Sequence, residues 1–236
     1  MFYLIGLGLN EKSISLEAIE ILKTCRKIYL EEYTVEFPYL LDELQEIIGK
    51  RVIPLTRTMV EMENFVKEAK QENIALLIYG SPLTATTHIS LLLRCRKEGI
   101  NYKVLHNASI IDAISETGLQ LYKFGKIASM PAWKDNYKPL SFVNIIKENQ
   151  KIKAHTLLLV DIGLGFGNAL KQLKEASSSK LKLDKMVVCS KLGTEKQKMF
   201  FESLEELAGK EVHAPFCFII PSSLHFLEEE ALKSLG

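Results

Sequence analysis

A chain of 236 residues, 47% hydrophobic and 25% charged, has ordinary globular chemistry and length enough for one large domain or two lobes of roughly 110–120 residues each. Thirty basic against 29 acidic residues leave a net charge of +1, without the basic excess or stripe that marks a nucleic-acid binder. No stretch approaches the roughly 18 continuous apolar residues that span a bilayer, and the opening Met-Phe-Tyr-Leu-Ile-Gly lacks the parts of a secretory signal. The expectation is a cytoplasmic protein with neither nucleic acid nor membrane as a partner.

Short apolar runs at 2–5, 27–30, 52–53, 74–79 and 102–105 read as strands, and the segments 16–24, 39–48, 59–70 and 86–97 between them carry apolar residues at helical spacing. Ser15 precedes the first helix as an N-cap, and Gly49 and Gly99 close the second and fourth. This alternation predicts a mainly parallel sheet covered by helices. Beyond it, 110–116 reads as helix, 125–130 as strand and 139–150 as helix. Strands are then expected at 156–162, 186–190, 198–201 and 216–220, with helical stretches at 169–176 and 203–207. Ser177-Ser178-Ser179 reads as a solvated loop. A last helix over 224–235 places Glu228, Glu229 and Glu230 on a wet face. The fold class is therefore α/β, with a mostly parallel sheet in an N-terminal lobe, 1–110, and a mixed sheet in a C-terminal lobe, 111–236. Cys25, Cys95, Cys189 and Cys217 are scattered without a CxxC pair, which favours buried thiols over zinc or disulfides.

Three strand ends carry small-residue loops. Gly6-Leu7-Gly8-Leu9 follows the first strand and permits close backbone approach. It suggests a dinucleotide site in which Glu31 or Glu32 would hold a ribose, but Glu11 stands where the third glycine belongs and would repel a pyrophosphate. Gly80-Ser81-Pro82-Leu83-Thr84-Ala85-Thr86-Thr87-His88 follows the fourth strand. It reads either as a ligand loop or as a capped helix start, with Thr84 or Thr86 as the cap and His88 at the surface. In His106-Asn107-Ala108-Ser109-Ile110, at the end of the fifth strand, Ser109 suits a helix cap or a polar ligand. Ligands of open α/β sheets sit beyond such carboxyl ends.

These loops, the run Thr117-Gly118-Leu119-Gln120-Leu121-Tyr122-Lys123-Phe124-Gly125-Lys126, and the later segments 155–162 and 220–225 resemble the signature segments of diphthine synthases, in the tetrapyrrole methylase superfamily. The resemblance covers nearly the whole chain. It implies a two-lobed, tetrapyrrole methylase-like fold with S-adenosylmethionine in a cleft, no metal, and a homodimer. It further implies N-methylation of the 3-amino-3-carboxypropyl arm on a histidine of translation elongation factor two, giving diphthine. Carried over by motif, the cofactor contacts fall on Leu9, Ser81, Thr84, Ser109, Ile110, Val160, Leu192 and Phe216. Two departures stand out: the family usually has aspartate at 81, and the stretch Gly163-Leu164-Gly165-Phe166-Gly167-Asn168 is shorter than in typical relatives, where a tight, mobile turn is expected. Methyl transfer from a sulfonium to an amine needs alignment and a neutral amine. His88, Asp161 and Glu116 are candidate bases, each also readable as structural, and Tyr122, Phe124 and Trp133 could offer an aromatic face to the product cation. A related corrinoid or other tetrapyrrole methylase, or a non-catalytic module that grips elongation factor two, are the alternatives.

Overall fold

The computed structural model describes residues 1–177, 181 and 183–235. The chain divides into two compact units, Met1–Asp112 and Ala113–Gly236.

In the first unit five strands, β1 (Phe2–Gly6), β2 (Lys27–Glu31), β3 (Ile53–Leu55), β4 (Ile74–Ile78) and β5 (Tyr102–Leu105), form one sheet in the order β3-β2-β4-β1-β5. Every pairing is parallel. β4 is buried along its whole length, as a central parallel strand covered on both faces must be. Alternate side chains feed two cores. On one face Ile5, Ile28, Leu30, Ala75 and Leu77 meet Ala18 and Leu22 of α1 (Leu16–Thr24) and Leu44 and Ile48 of α2 (Leu41–Ile48). On the other, Phe2, Leu4, Ile74, Leu76 and Ile78 meet Val60 of α3 (Arg57–Met62), Phe65 and Val66 of a 3-10 turn, and Leu91, Leu92 and Cys95 of α4 (Ile89–Glu98). The helices after β1 and β2 thus cover one face and those after β3 and β4 the other, and a short helix, α5 (Ile110–Ala113), follows β5. The chain leaves the neighbouring strands β1 and β4 toward opposite faces, the arrangement that opens a ligand crevice outside their carboxyl ends.

Local chemistry explains where the elements differ from the sequence expectation. Ser15 caps α1 by accepting from the Ala18 N–H. The expected helix 59–70 is two pieces, α3 and a 3-10 turn over Asn64–Lys70, broken where Glu63 adopts φ 55°. The helix expected from 86 starts at Ile89, because Ala85 is left-handed at φ 56° and the Thr86 hydroxyl turns back to the Pro82 carbonyl. Neither Thr84 nor Thr86 caps it; His88 holds the N-cap position, and it is buried rather than at the surface.

The second unit holds a mixed sheet, β6-β7-β10-β8-β9, made of β6 (Ala128–Met130), β7 (Thr156–Val160), β8 (Met186–Ser190), β9 (Lys198–Glu202) and β10 (Phe216–Ile220). Only β6–β7 is parallel. Phe142, Val143 and Ile146 of α6 (Ser141–Lys151), Leu173 of α7 (Phe166–Ser177) and Leu207 of α8 (Leu204–Leu207) pack with Leu158, Val188 and Phe218 in its core. Ser203 and Glu206 form the reciprocal capping box of α8. Ser177 ends α7 as a buried residue instead of starting a loop, and Ser178 and Ser179 lie outside the described residues.

One correction changes the meaning of the 117–126 run. Glu228, in the first turn of α9 (Phe226–Lys233), is fully buried, not on the wet face with Glu229 and Glu230. Its carboxylate accepts from the Gln120 N–H (3.0 Å), the His225 N–H (2.7 Å), the His155 Nε2–H (3.2 Å) and the Lys123 ammonium. The Ser222 N–H donates to His155 Nδ1 at 2.9 Å, which leaves Nε2 as the protonated nitrogen. Asn149 takes the end of the same run, accepting from the Lys126 N–H and donating to the Lys126 carbonyl and to Thr156 Oγ1. The run is a brace that fastens α9 and α6 to β7.

All four cysteines are buried free thiols. Among the described residues no helix is long and apolar enough to cross a membrane, and no group of three or more His, Cys, Asp or Glu is placed to hold a metal ion.

Candidate functional site

The three small-residue loops follow β4, β1 and β5, which are consecutive in the sheet. They are joined by hydrogen bonds. Beyond the strands, the Gly8 N–H donates to the Gly80 carbonyl (3.2 Å) and the Gly80 N–H to the Gly8 carbonyl (2.9 Å), while Leu7 N–H reaches Ile78 O at 2.8 Å. Both glycines are left-handed, at φ 73° and 71°, a conformation that L side chains rarely take. At Gly6 the constraint is space: a Cβ there would stand 2.6 Å from the Gly80 carbonyl oxygen and 2.9 Å from Pro82 Cδ.

Asn107 binds the third loop to the first. Its Nδ2 donates to the Gly6 carbonyl (3.1 Å) and the Ser13 carbonyl (2.9 Å), and its Oδ1 accepts from the Ala108 N–H (2.8 Å). Tyr79, just past β4, donates its hydroxyl to the Leu9 carbonyl at 2.9 Å. Neither residue was singled out by sequence, because their partners lie about 70 to 100 positions away in the chain and a lone Asn or Tyr carries no local signature.

Of the carried-over residues, the first unit brings Leu9, Ser81, Thr84, Ser109 and Ile110 onto these three loops; Leu9, Ser81 and Ser109 are buried and the other two half-buried. Ser109 is a cap: its Oγ accepts from the Ile111 N–H, and both its N–H and hydroxyl donate to Asp112. Those bonds, the backbone one foremost, hold the Asp112 carboxyl below its usual value. Segments 6–9, 80–88 and 106–110 offer hydroxyls and peptide groups and contain no lysine or arginine, which suits a cationic ligand better than a phosphate. Glu31, the alternative ribose ligand, is fully buried and already accepts from the Tyr33 N–H (2.6 Å) and Thr34 Oγ1 (2.5 Å).

Within the second unit, Val160 ends β7, Phe216 begins β10 opposite Ser190, and Leu192 lies just past β8. The antiparallel register brings all three to one end of that sheet. Phe166, from the shortened stretch, packs edge-on against Phe216 at 5.5 Å between ring centroids. The stretch begins as a tight turn closed by the Leu164 N–H on the Asp161 carbonyl, with Gly163 left-handed at φ 77°, and Phe166, Gly167 and Asn168 already open α7.

Two of the three candidate bases are carboxylates engaged in structural hydrogen bonds. Asp161 accepts from the Ala132 and Ile162 N–H groups, and Glu116 accepts from Gln197. Burial, opposed by Glu31, keeps the His88 pKa below its usual value. Phe124 packs on His155, Trp133 donates to the Pro139 carbonyl with Lys138 over its ring, and Tyr122 is 82% exposed.

Comparison with known proteins decides the family. Residues 1–208 match the tetrapyrrole (corrin/porphyrin) methylases. The chain is 36% identical to the diphthine methyl ester synthase of Schizosaccharomyces pombe over 99% of this chain and 94% of that one. It is 38% identical to the diphthine synthase of Methanococcus aeolicus, covering 100% and 98%.

The chain belongs to the diphthine synthase family.

A crystal structure of a diphthine synthase superposes with a TM-score of 0.91 at 30% identity, covering 100% of this chain and 96% of that one. This member of the diphthine synthase family is accordingly a methyltransferase of diphthamide biosynthesis, with the α/β fold and mixed second sheet of the tetrapyrrole methylases. That excludes the non-catalytic module, and full-length likeness to diphthine synthases outweighs a corrinoid substrate.

Proposed function

We propose that the enzyme uses S-adenosylmethionine to methylate the amino group of the 3-amino-3-carboxypropyl arm on a histidine of translation elongation factor two, giving diphthine. The observation that carries this reading is the joining of the loops after β4, β1 and β5 into one glycine-lined cradle of hydroxyls and carbonyls. In the first unit the donor would be held there by Leu9, Ser81, Thr84, Ser109 and Ile110; for the second unit, donor contacts are proposed by family resemblance at Val160, Leu192 and Phe216. When bound, it supplies a methyl group already activated on a cationic sulfur. The chain's own task is then to orient that group, exclude water, and admit the amine as a neutral nucleophile. Serine in place of the family's usual aspartate leaves hydroxyl and peptide dipoles to meet the donor's positive charge.

The enzyme is further proposed to act without metal, as a cytoplasmic homodimer, where its protein substrate is found; sedimentation at graded concentrations tests the dimer. A second reading, that a carboxylate of the same arm is also esterified, is supported by the name of the Schizosaccharomyces pombe relative. Both are tested by incubating the enzyme and labelled donor with elongation factor two bearing the unmethylated arm, followed by mass spectrometry of the histidine peptide. Methyls confined to the amine support the first reading. An added alkali-labile methyl supports the second, and no label in the peptide overturns both.

A further inference from the structure

The 80–88 segment ties itself to a single acceptor. The Pro82 carbonyl receives the Thr86 hydroxyl at 3.0 Å and His88 Nδ1 at 3.3 Å. A carbonyl can only accept, so Nδ1 carries the proton and Nε2 the lone pair. His88 is 2% exposed, and its Nε2 has no hydrogen-bond partner. Leaving a buried acceptor unmet is unfavourable, yet the ring is oriented to spend Nδ1 on Pro82. The Tyr33 ring stands edge-on to it at 6.4 Å. Between the Pro82 acceptor and its two donors, Ala85 is left-handed at φ 56°, a strained conformation for a residue with a Cβ, which persists where its surroundings enforce it. Pro82 itself lies beside Ser81 and against Gly6. A displacement of its carbonyl would therefore be felt at the cradle.

We propose that His88 is a positioning residue, which acts through the Nδ1–H bond to the Pro82 carbonyl to hold residues 81–84 in the shape that binds the methyl donor, with Thr86 as its partner in that task. The inference rests on the donor site proposed above. It assigns the work to one nitrogen, and the test exploits this. Asparagine places an N–H near the position of Nδ1; glutamine reaches instead toward the position of Nε2; leucine fills the space without polarity.

Donor affinity by calorimetry, donor KM and kcat, and Tm would be measured for the wild type and for His88→Asn, His88→Gln, His88→Leu and Thr86→Val. The expected result is a donor Kd within about twofold of wild type for His88→Asn, but raised about five- to tenfold for the other three, the size of one buried hydrogen bond. KM should rise in parallel while kcat holds. Full affinity in His88→Gln with loss in His88→Asn would overturn the proposal by making Nε2 the working atom. So would a His88→Leu enzyme with lowered Tm and unchanged Kd, since the ring would then only fill space. If the leucine variant does not fold, the contrast between the two amides decides. A wild type that binds no donor overturns the donor site and this inference together, whereas failure of the variant pattern in a wild type that binds overturns this inference alone.

Discussion

Gly6 is the residue on which the cradle turns most directly. The Gly80 carbonyl and Pro82 ring crowd it from one loop and Asn107 from another, so even a methyl group must push backbone aside. Gly6→Ala should lower stability by about 1–3 kcal/mol, the usual cost of overpacking, and weaken donor binding at least tenfold by calorimetry, a loss of about 1.4 kcal/mol. Gly167 supplies the control. It lies in α7, with nothing within 4 Å of an added Cβ, and Gly167→Ala should leave donor affinity intact and hold or raise Tm, since alanine favours helix by about 1 kcal/mol. A residue pattern alone does not separate these two glycines; the neighbours do.

At the scale of elements, the 117–126 run resembled a family signature and proves to be a brace around Glu228. Burial acts to raise the Glu228 pKa and is the largest single influence, but the combined hydrogen bonds from His225, Lys123, Gln120 and His155 outweigh it and bring the carboxyl down from 4.5 to about 2. The His155 pKa is lowered too, because burial outweighs the pull of Glu228, and the Ser222 N–H donated to Nδ1 fits a neutral ring. A carboxyl whose folded pKa lies below its unfolded one stabilises the fold fully above the unfolded value. That contribution is lost as pH falls from there through the folded value. Glu228→Gln should therefore lower Tm at pH 7 by roughly 5–10 °C, the scale expected for a few kcal/mol in a chain of this size. The gap between mutant and wild type should shrink steadily between pH 5 and about 2. A gap independent of pH in scanning calorimetry would show that packing, not charge, holds α9.

For the whole molecule, a ligand that binds only the folded chain must raise its stability. S-adenosylmethionine or its thioether product at about 100 times Kd should add about 2.7 kcal/mol, visible as a higher Tm, while NAD should leave Tm unchanged. The opposite ranking would restore the dinucleotide reading of Gly6-Leu7-Gly8. Much of this architecture was legible in the chain itself. Apolar runs of about five residues alternating with helical spacing dictate a covered parallel sheet, and glycines and hydroxyls at its strand ends mark the loops, because those are the residue types that let backbone approach a ligand. Tertiary structure decided the rest. That Asn107 meets the Gly6 and Ser13 carbonyls, that Tyr79 holds Leu9, and that one of three consecutive glutamates turns inward to Gln120, Lys123 and His155 depend on partners far along the chain. Local periodicity reports which face of an element is apolar; it carries no information about which distant hydrogen-bond donor or acceptor the fold will bring to that face.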